Sequence, residues 1–168
     1  MTKENGHFWR WLALAAGVVL LDRATKLLAT ALLSLHQPVP VLPFLNLTLT
    51  HNTGAAFSLL SDAGGWQRWF FSGLSVLVSA IIVVWLRRLP PGRAWLSCGL
   101  SLVLGGALGN LWDRLAQGAV VDFIDVYYGR WHWPAFNVAD SAITVGVVML
   151  LVSVLREETR GGAGAQER

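Results

Sequence analysis

The chain has 168 residues, 54% of them hydrophobic and 14% charged, with a net charge of +3 and a mean hydropathy of +0.52. Soluble domains carry about 25% charged residues, so this composition points to one small polytopic membrane domain rather than a water-soluble core. No basic stripe with interleaved aromatics exists, which sets nucleic acid aside as a partner, and the single cysteine, Cys98, forbids an intrachain disulfide. Cys98 sits in an apolar run and reads as a buried, inert thiol.

Residues 1–10 form a short polar tail with Lys3 and Arg10, followed by an apolar core from Trp11. Asp22, Arg23 and Lys26 come next and apolar character resumes through Leu35. The stretch from Trp11 to Leu32 supplies the roughly 20 residues needed to span hydrocarbon and is read as an uncleaved first helix, not a cleaved leader. Asp22 and Lys26, spaced i,i+4, share a face and can pair. Pro38, Pro40 and Pro43 exclude a helix over 36–43. Residues 44–50 alternate apolar and polar, a strand pattern, and a loop of low helical drive follows from Asn52.

Gln67 to Leu86 reads as the second span, residues 87–93 as a tight basic turn, and Ala94 to Trp112 as the third span. Asp113 to Trp133 reads as polar, aromatic and irregular. The fourth span runs from about Phe136 to Leu155. Eight basic residues (Lys3, Arg10, Arg87, Arg88, Arg93, Arg156, Arg160, Arg168) fall with the termini and the 87–93 turn, against five (Arg23, Lys26, Arg68, Arg114, Arg130) on the other side. That excess predicts cytoplasmic termini. The fold expected is a mainly α membrane protein: four transmembrane helices, a small extracytoplasmic β segment with a loop region, and both termini cytoplasmic. Residues 1–160 form one domain and 161–168 a disordered cytoplasmic tail. The nine tryptophans lie near predicted span ends, as interfacial belts do.

All four glutamates are in the tails, whereas Asp113, Asp122, Asp125 and Asp140 crowd between the last two spans. Carboxylates so close to hydrocarbon are costly and mark function. Asp122 and Asp140 are expected near the same membrane face. Two close carboxylates do not both ionise easily, and one base with one acid can activate water and protonate a leaving amine. The spacing equally admits Asp140 or Asp122 capping the last helix, with the other paired to Arg114 or Arg130. Asn110 and Arg114 share a helix face, and Arg114 can clamp a phosphate or carbonyl or pair with Asp113. Gly105 and Gly109 make a small-xxx-small packing face. Asn52 is a candidate backbone clamp for an extended peptide, and Asp125 a loop residue. Asn46-Leu47-Thr48 matches a glycosylation sequon but is discounted as a chance tripeptide. His7, His36, His51 and His132 have no metal-ligand spacing, so neither a metal nor another cofactor is expected. A proton or cation pathway would spread charge through the bilayer depth, and a scaffold would need no aspartate pair. The crowding of polar residues toward one face favours an enzyme over both.

Five blocks in order carry a resemblance: D-x-x-T-K at Asp22 to Lys26, N-T-G-A-A-F-S at Asn52 to Ser58, G-G-A-x-G-N-x-x-D-R at Gly105 to Arg114, V-D-F-I at Val121 to Ile124, and F-N-x-A-D at Phe136 to Asp140. Together they cover all but the tails, and the chain resembles the bacterial lipoprotein signal peptidases, the signal peptidase II family. Arg23 departs from the glutamine common there, at a position that is not catalytic. The resemblance implies an aspartyl endopeptidase of the bacterial cytoplasmic membrane, its site facing the extracytoplasmic side. It implies cleavage of prolipoproteins before a diacylglyceryl-modified cysteine. By the same resemblance Asp122 and Asp140 match the catalytic pair, and Asp22, Asn52, Gly54, Asn110, Arg114 and Asn137 match positions that line or support the site. Membrane lipids and globomycin-type cyclic peptides are the further partners implied.

Overall fold

The structure is a computed structural model that describes residues 3–54 and 64–163. Its elements in chain order are α1 (Lys3–Leu32), β1 (Val39–Leu42), β2 (Leu45–Asn52), α2 (Trp66–Arg88), α3 (Ala94–Gln117), β3 (Val120–Tyr128), β4 (Trp131–His132) and α4 (Val138–Ala163). The four strands form one antiparallel sheet in the order β1-β2-β3-β4. Helix α3 is the hub, touching α1, α2 and α4, and it is the most buried of the long apolar helices.

Among the described residues three helices, α2, α3 and α4, are long and apolar enough to cross a membrane. Helix α1 is interrupted by Asp22, Arg23 and Lys26, yet Asp22 and Lys26 are buried against its neighbours. Its opposite face exposes Leu20, Leu21, Leu27, Leu28 and Leu32. The residues expected as a polar tail continue this helix back to Lys3, giving a rod of about 45 Å at 1.5 Å per residue. Exposed Val, Leu and Ile side chains along α2 and α4 complete an apolar belt that suits lipid, not water. Trp9, Trp66, Trp69, Trp85, Trp95, Trp112, Trp131 and Trp133 are exposed, as amphipathic rings at an interface are.

Close helix approach rests on glycine. A Cβ on Gly105 would lie 2.6 Å from Val18 Cβ and 2.7 Å from the Ala15 carbonyl, so α1 presses directly on α3 there. A Cβ on Gly106 would strike the Ala139 carbonyl of α4, and one on Gly146 would lie 2.6 Å from the Gly99 carbonyl. The packing face expected from Gly105 and Gly109 therefore extends to Gly106, and α4 contributes a small residue of its own.

Several expectations need correction. Asp113–Trp133 is not irregular. Helix α3 continues through Asp113 and Arg114 to Gln117 because those charges find partners, and Gly118, with φ of 84°, ends it with its N–H bonded to the Arg114 carbonyl. Beyond it β3 is a largely buried strand. Its two aspartates obscured the pattern, since isolated Asp disfavours strands, whereas these two are satisfied by neighbouring side chains. The proline-rich 36–43 stretch contains β1, with Pro40 tolerated on an edge strand. The expected 44–50 strand is present as β2, between β1 and β3. Cys98 is only half-buried. Helix α4 continues through Ala163, so the expected tail begins as helix, and residues 164–168 lie outside the described residues. Most of the loop expected after Asn52, residues 55–63, also lies outside them.

Gly106→Ala tests the packing. It is expected to destabilise the protein by about 1–3 kcal/mol, the usual cost of overpacking, lowering the thermal midpoint in detergent. Gly17→Ala, where a Cβ meets nothing within 4 Å, is expected to leave the midpoint unchanged or slightly raised.

Candidate active site

The site forms where β3 meets the start of α4. Asn137 precedes α4 and caps it: its side-chain Oδ1 accepts from the Asp140 N–H at 2.9 Å. Asp140 returns the bond, its Oδ2 accepting from the Asn137 N–H at 3.2 Å. This is a reciprocal capping box with Asp in the place usually held by Glu. The Asn137 amide also donates to Asp122 Oδ1 at 2.7 Å and lies 3.2 Å from the Val121 carbonyl. One fully buried asparagine therefore touches both aspartates. Asp122 Oδ2 accepts from Asn52 Nδ2 at 3.1 Å, and Asp140 Oδ1 from Asn110 Nδ2 at 2.7 Å. Asp122 sits on β3 opposite Thr50 of β2 and is 2% exposed. Burial, then the nearby charge of Asp140, pushes its carboxyl from 3.8 up to about 7.

Beneath the pair lies an ionic cluster. Lys26 is 1% exposed and directs its ammonium at three acceptors: Asp22 at 2.8 Å, Asp113 at 2.7 Å and Asn110 Oδ1 at 3.0 Å. One hydrogen bond to Asn110 and two carboxylates within ion-pair distance balance the buried charge. Asp113 is further bound by Arg23 and accepts from the Val121 N–H at 3.3 Å. Asp22 accepts from the Ala139 N–H at 3.0 Å, so α1 satisfies an otherwise orphaned donor in the first turn of α4.

Arg114 leaves α3 toward the end of β2, where its Nη2 donates to the Gly54 carbonyl at 3.0 Å and its guanidinium lies over Phe71. Asn52 Oδ1 accepts from the Gly54 N–H at 3.0 Å, an Asx turn that fixes this corner. A cavity of about 570 Å³ opens beside these groups, lined by Asn52, Asn110, Arg114, Val120, residues 133–136, Asp140, Ser141, Ile143, Thr144 and Val145. Its lining combines a few polar groups with apolar side chains, the usual character of a binding site. Asp140 lines it directly, while Asp122 stands behind Asn52. Among the described residues no group of three or more His, Cys, Asp or Glu is arranged to hold a metal ion.

All eight residues singled out in the sequence converge on this region. Several roles differ from expectation. Asp140 caps the last helix and shares Asn137 with Asp122, so a capping role does not separate the two carboxylates. Asp113 pairs with Lys26 and Arg23, not with Arg114. Asp125 is a buried strand residue, bonded by Asn46 and His132. Asn46, 7% exposed, is turned inward, away from any modifying enzyme. Asn52 binds Asp122 rather than standing free for a peptide backbone. The expected pairing of Lys26 with Asp22 is present, but its reach to Asp113 and Asn110 was not foreseen, nor was Trp133–Phe136 as a cavity wall. A lysine inside an apolar helix was a usable signal for the first. Nothing in the local pattern marked the second.

Lys26→Met would leave Asp22 and Asp113 buried without their shared cation. A loss of about 3–5 kcal/mol is expected, read as a sharp fall in thermal midpoint or failure to accumulate in the membrane. A pH effect follows from Asp122. Its folded carboxyl keeps a proton that the unfolded chain releases above 3.8. Stability therefore falls as pH rises from about 4 to about 7, by roughly 1 kcal/mol per pH unit at most, then levels off. Thermal melts across that range should show a shallower slope for Asp122→Asn.

A family model described as signal peptidase (SPase) II matches residues 14–156. A lipoprotein signal peptidase of Acinetobacter baumannii is 58% identical over 146 residues, covering 87% of this chain and 83% of the relative. One of Pseudomonas paraeruginosa is 54% identical over 155 residues, covering 91% and 92%. A solved structure described as a bacterial membrane enzyme superposes with a TM-score of 0.81 at 31% identity, covering 90% of each chain. The matched segment spans the carboxylate pair, the ionic cluster beneath it and the cavity wall, and on this evidence the chain belongs to the signal peptidase II family.

Proposed function

We propose that Asp122 and Asp140 are the catalytic pair of an aspartyl endopeptidase that removes signal peptides from prolipoproteins, cutting before a diacylglyceryl-modified cysteine. The observation that carries this is the shared Asn137, which holds both carboxylates beside a peptide-sized cavity. With Asp122 pushed up to about 7, the pair retains one proton near neutrality. The ionised member takes a proton from water as the oxygen attacks the scissile carbonyl, and the protonated member gives its proton to the carbonyl oxygen. The first member then passes the proton it took from water to the leaving amine as the C–N bond breaks, and the second recovers its proton from the collapsing diol. Arg114, tied to the Gly54 carbonyl at the mouth of the cavity, steadies the incoming backbone or headgroup. The mostly apolar remainder of the cavity takes the signal segment, and globomycin-type cyclic peptides compete for the same space.

The reading extends to topology. Helix α1 serves as a fourth span in a single peptidase domain over residues 1–160, because its charges are internal and its leucines face outward. Both termini are then cytoplasmic, as the excess of basic residues near them favours, with the catalytic pair on the extracytoplasmic side of the bacterial inner membrane.

Asp122→Asn and Asp140→Asn preserve volume and remove the acid–base chemistry. Each is expected to lower cleavage of a lipidated precursor by purified enzyme in detergent by about 10²–10⁴-fold. Processing at the unsubstituted rate by either variant would sink the assignment.

A further inference from the structure

The catalytic reading leaves a buried carboxylate, that of Asp125, unused. Asp125, 6% exposed, accepts from Asn46 Nδ2 at 2.9 Å and faces His132 Nδ1 at 2.8 Å and 3.1 Å through its two oxygens. The imidazole stacks on Tyr127 with ring centroids 5.2 Å apart and an interplanar angle of 18°. Three strands thus meet at one carboxylate: β2 through Asn46, β3 through Asp125 and β4 through His132. Immediately after His132 the chain becomes Trp133–Phe136, the wall of the cavity. That wall is tied to β3 by the backbone at its two ends. The Trp133 N–H donates to the Val126 carbonyl at 2.8 Å, and the Phe136 N–H donates to the Ile124 carbonyl at 3.0 Å. Pro134 between them has no N–H to give.

We infer that Asp125 and His132 are positioning residues for substrate binding, a side-chain clamp that sets where the Trp133–Phe136 wall stands relative to the carboxylate pair. Neither touches the reacting atoms. The clamp rests on the reading of this cavity as the peptide site. It explains why a carboxylate is buried in the sheet at a position that plays no part in acid–base chemistry, since a buried Asp is retained only where its bonds are met. Its effect falls on the fit of substrate, because His132 directly precedes the wall, whereas the catalytic pair is held by Asn137.

The test separates the hydrogen bond from the ring stack. His132→Phe keeps a ring on Tyr127 but cannot bond Asp125. His132→Asn places an amide N–H where Nδ1 stands. With a lipidated precursor in detergent, His132→Phe is expected to raise KM about three- to ten-fold, the worth of one hydrogen bond, with kcat within about twofold of the unsubstituted enzyme. His132→Asn is expected to restore KM. Should His132→Phe fail to fold, His132→Ala reads the same split, since the side chain is 50% exposed. Unchanged KM in the variant lacking the bond, or a loss confined to kcat, would overturn the clamp while leaving the functional reading intact. No cleavage by the unsubstituted enzyme would overturn both.

Discussion

The fold turns on the ammonium of Lys26. A buried cation is tolerable only when its donors are met and its charge is balanced, and here both conditions draw in different elements. Asp22 comes from the same helix, Asp113 and Asn110 from α3. Each partner then makes a second bond outward. Asp22 reaches the first turn of α4, Asp113 reaches β3 and Arg23, and Asn110 reaches Asp140 and Asn137. The distance between the carboxylates is thereby set by a chain of bonds that begins at one nitrogen. Such a cluster is poor evidence of net stability. Its consequence is geometric: α1, α3, β3 and α4 can meet in one register at this end.

The glycine contacts do the same work with carbon in place of charge. Gly105 and Gly106 let α1 and α4 rest on adjacent faces of α3 without intervening side chains. The Cβ position on Gly109 falls 2.7 Å from an Asp22 carboxylate oxygen, so the apolar packing and the ionic cluster constrain each other at a single residue. A helix pair held this closely has little freedom to slide, which suits a cluster in which two carboxylates stay within reach of one asparagine.

Asn137 shows how local and distant demands can coincide. Its backbone and Oδ1 serve the cap of α4, and its amide serves Asp122. Capping alone would be met by Ser or Thr. An amide offers the helix an acceptor on one atom and the neighbouring strand a donor on another, whereas a hydroxyl must serve both through a single oxygen. The same economy appears in Asn52, which closes the Gly54 turn with its oxygen and holds Asp122 with its nitrogen.

Much of this was legible before the structure. Helix positions followed from apolar runs and their basic ends, β2 from alternation over 44–50, and the proposed aspartate pair was singled out from carboxylates placed where they are costly. What misled was charge itself. Asp113 and Arg114 read as the end of a span and Asp122 and Asp125 as loop, because an isolated polar residue in an apolar run breaks the period on which such readings depend. Their partners lie far along the chain: Asp113 is bound by Arg23, ninety positions away, and Asn46 reaches Asp125 across 79. By itself the amino-acid order determined the helical membrane plan, the family blocks and the chemical types available, because these depend on local composition and spacing. The tertiary structure alone decided which carboxylate is partnered by which cation, which asparagine joins the pair, and which stretch walls the cavity. Those outcomes depend on distances across helices and strands that no local pattern encodes.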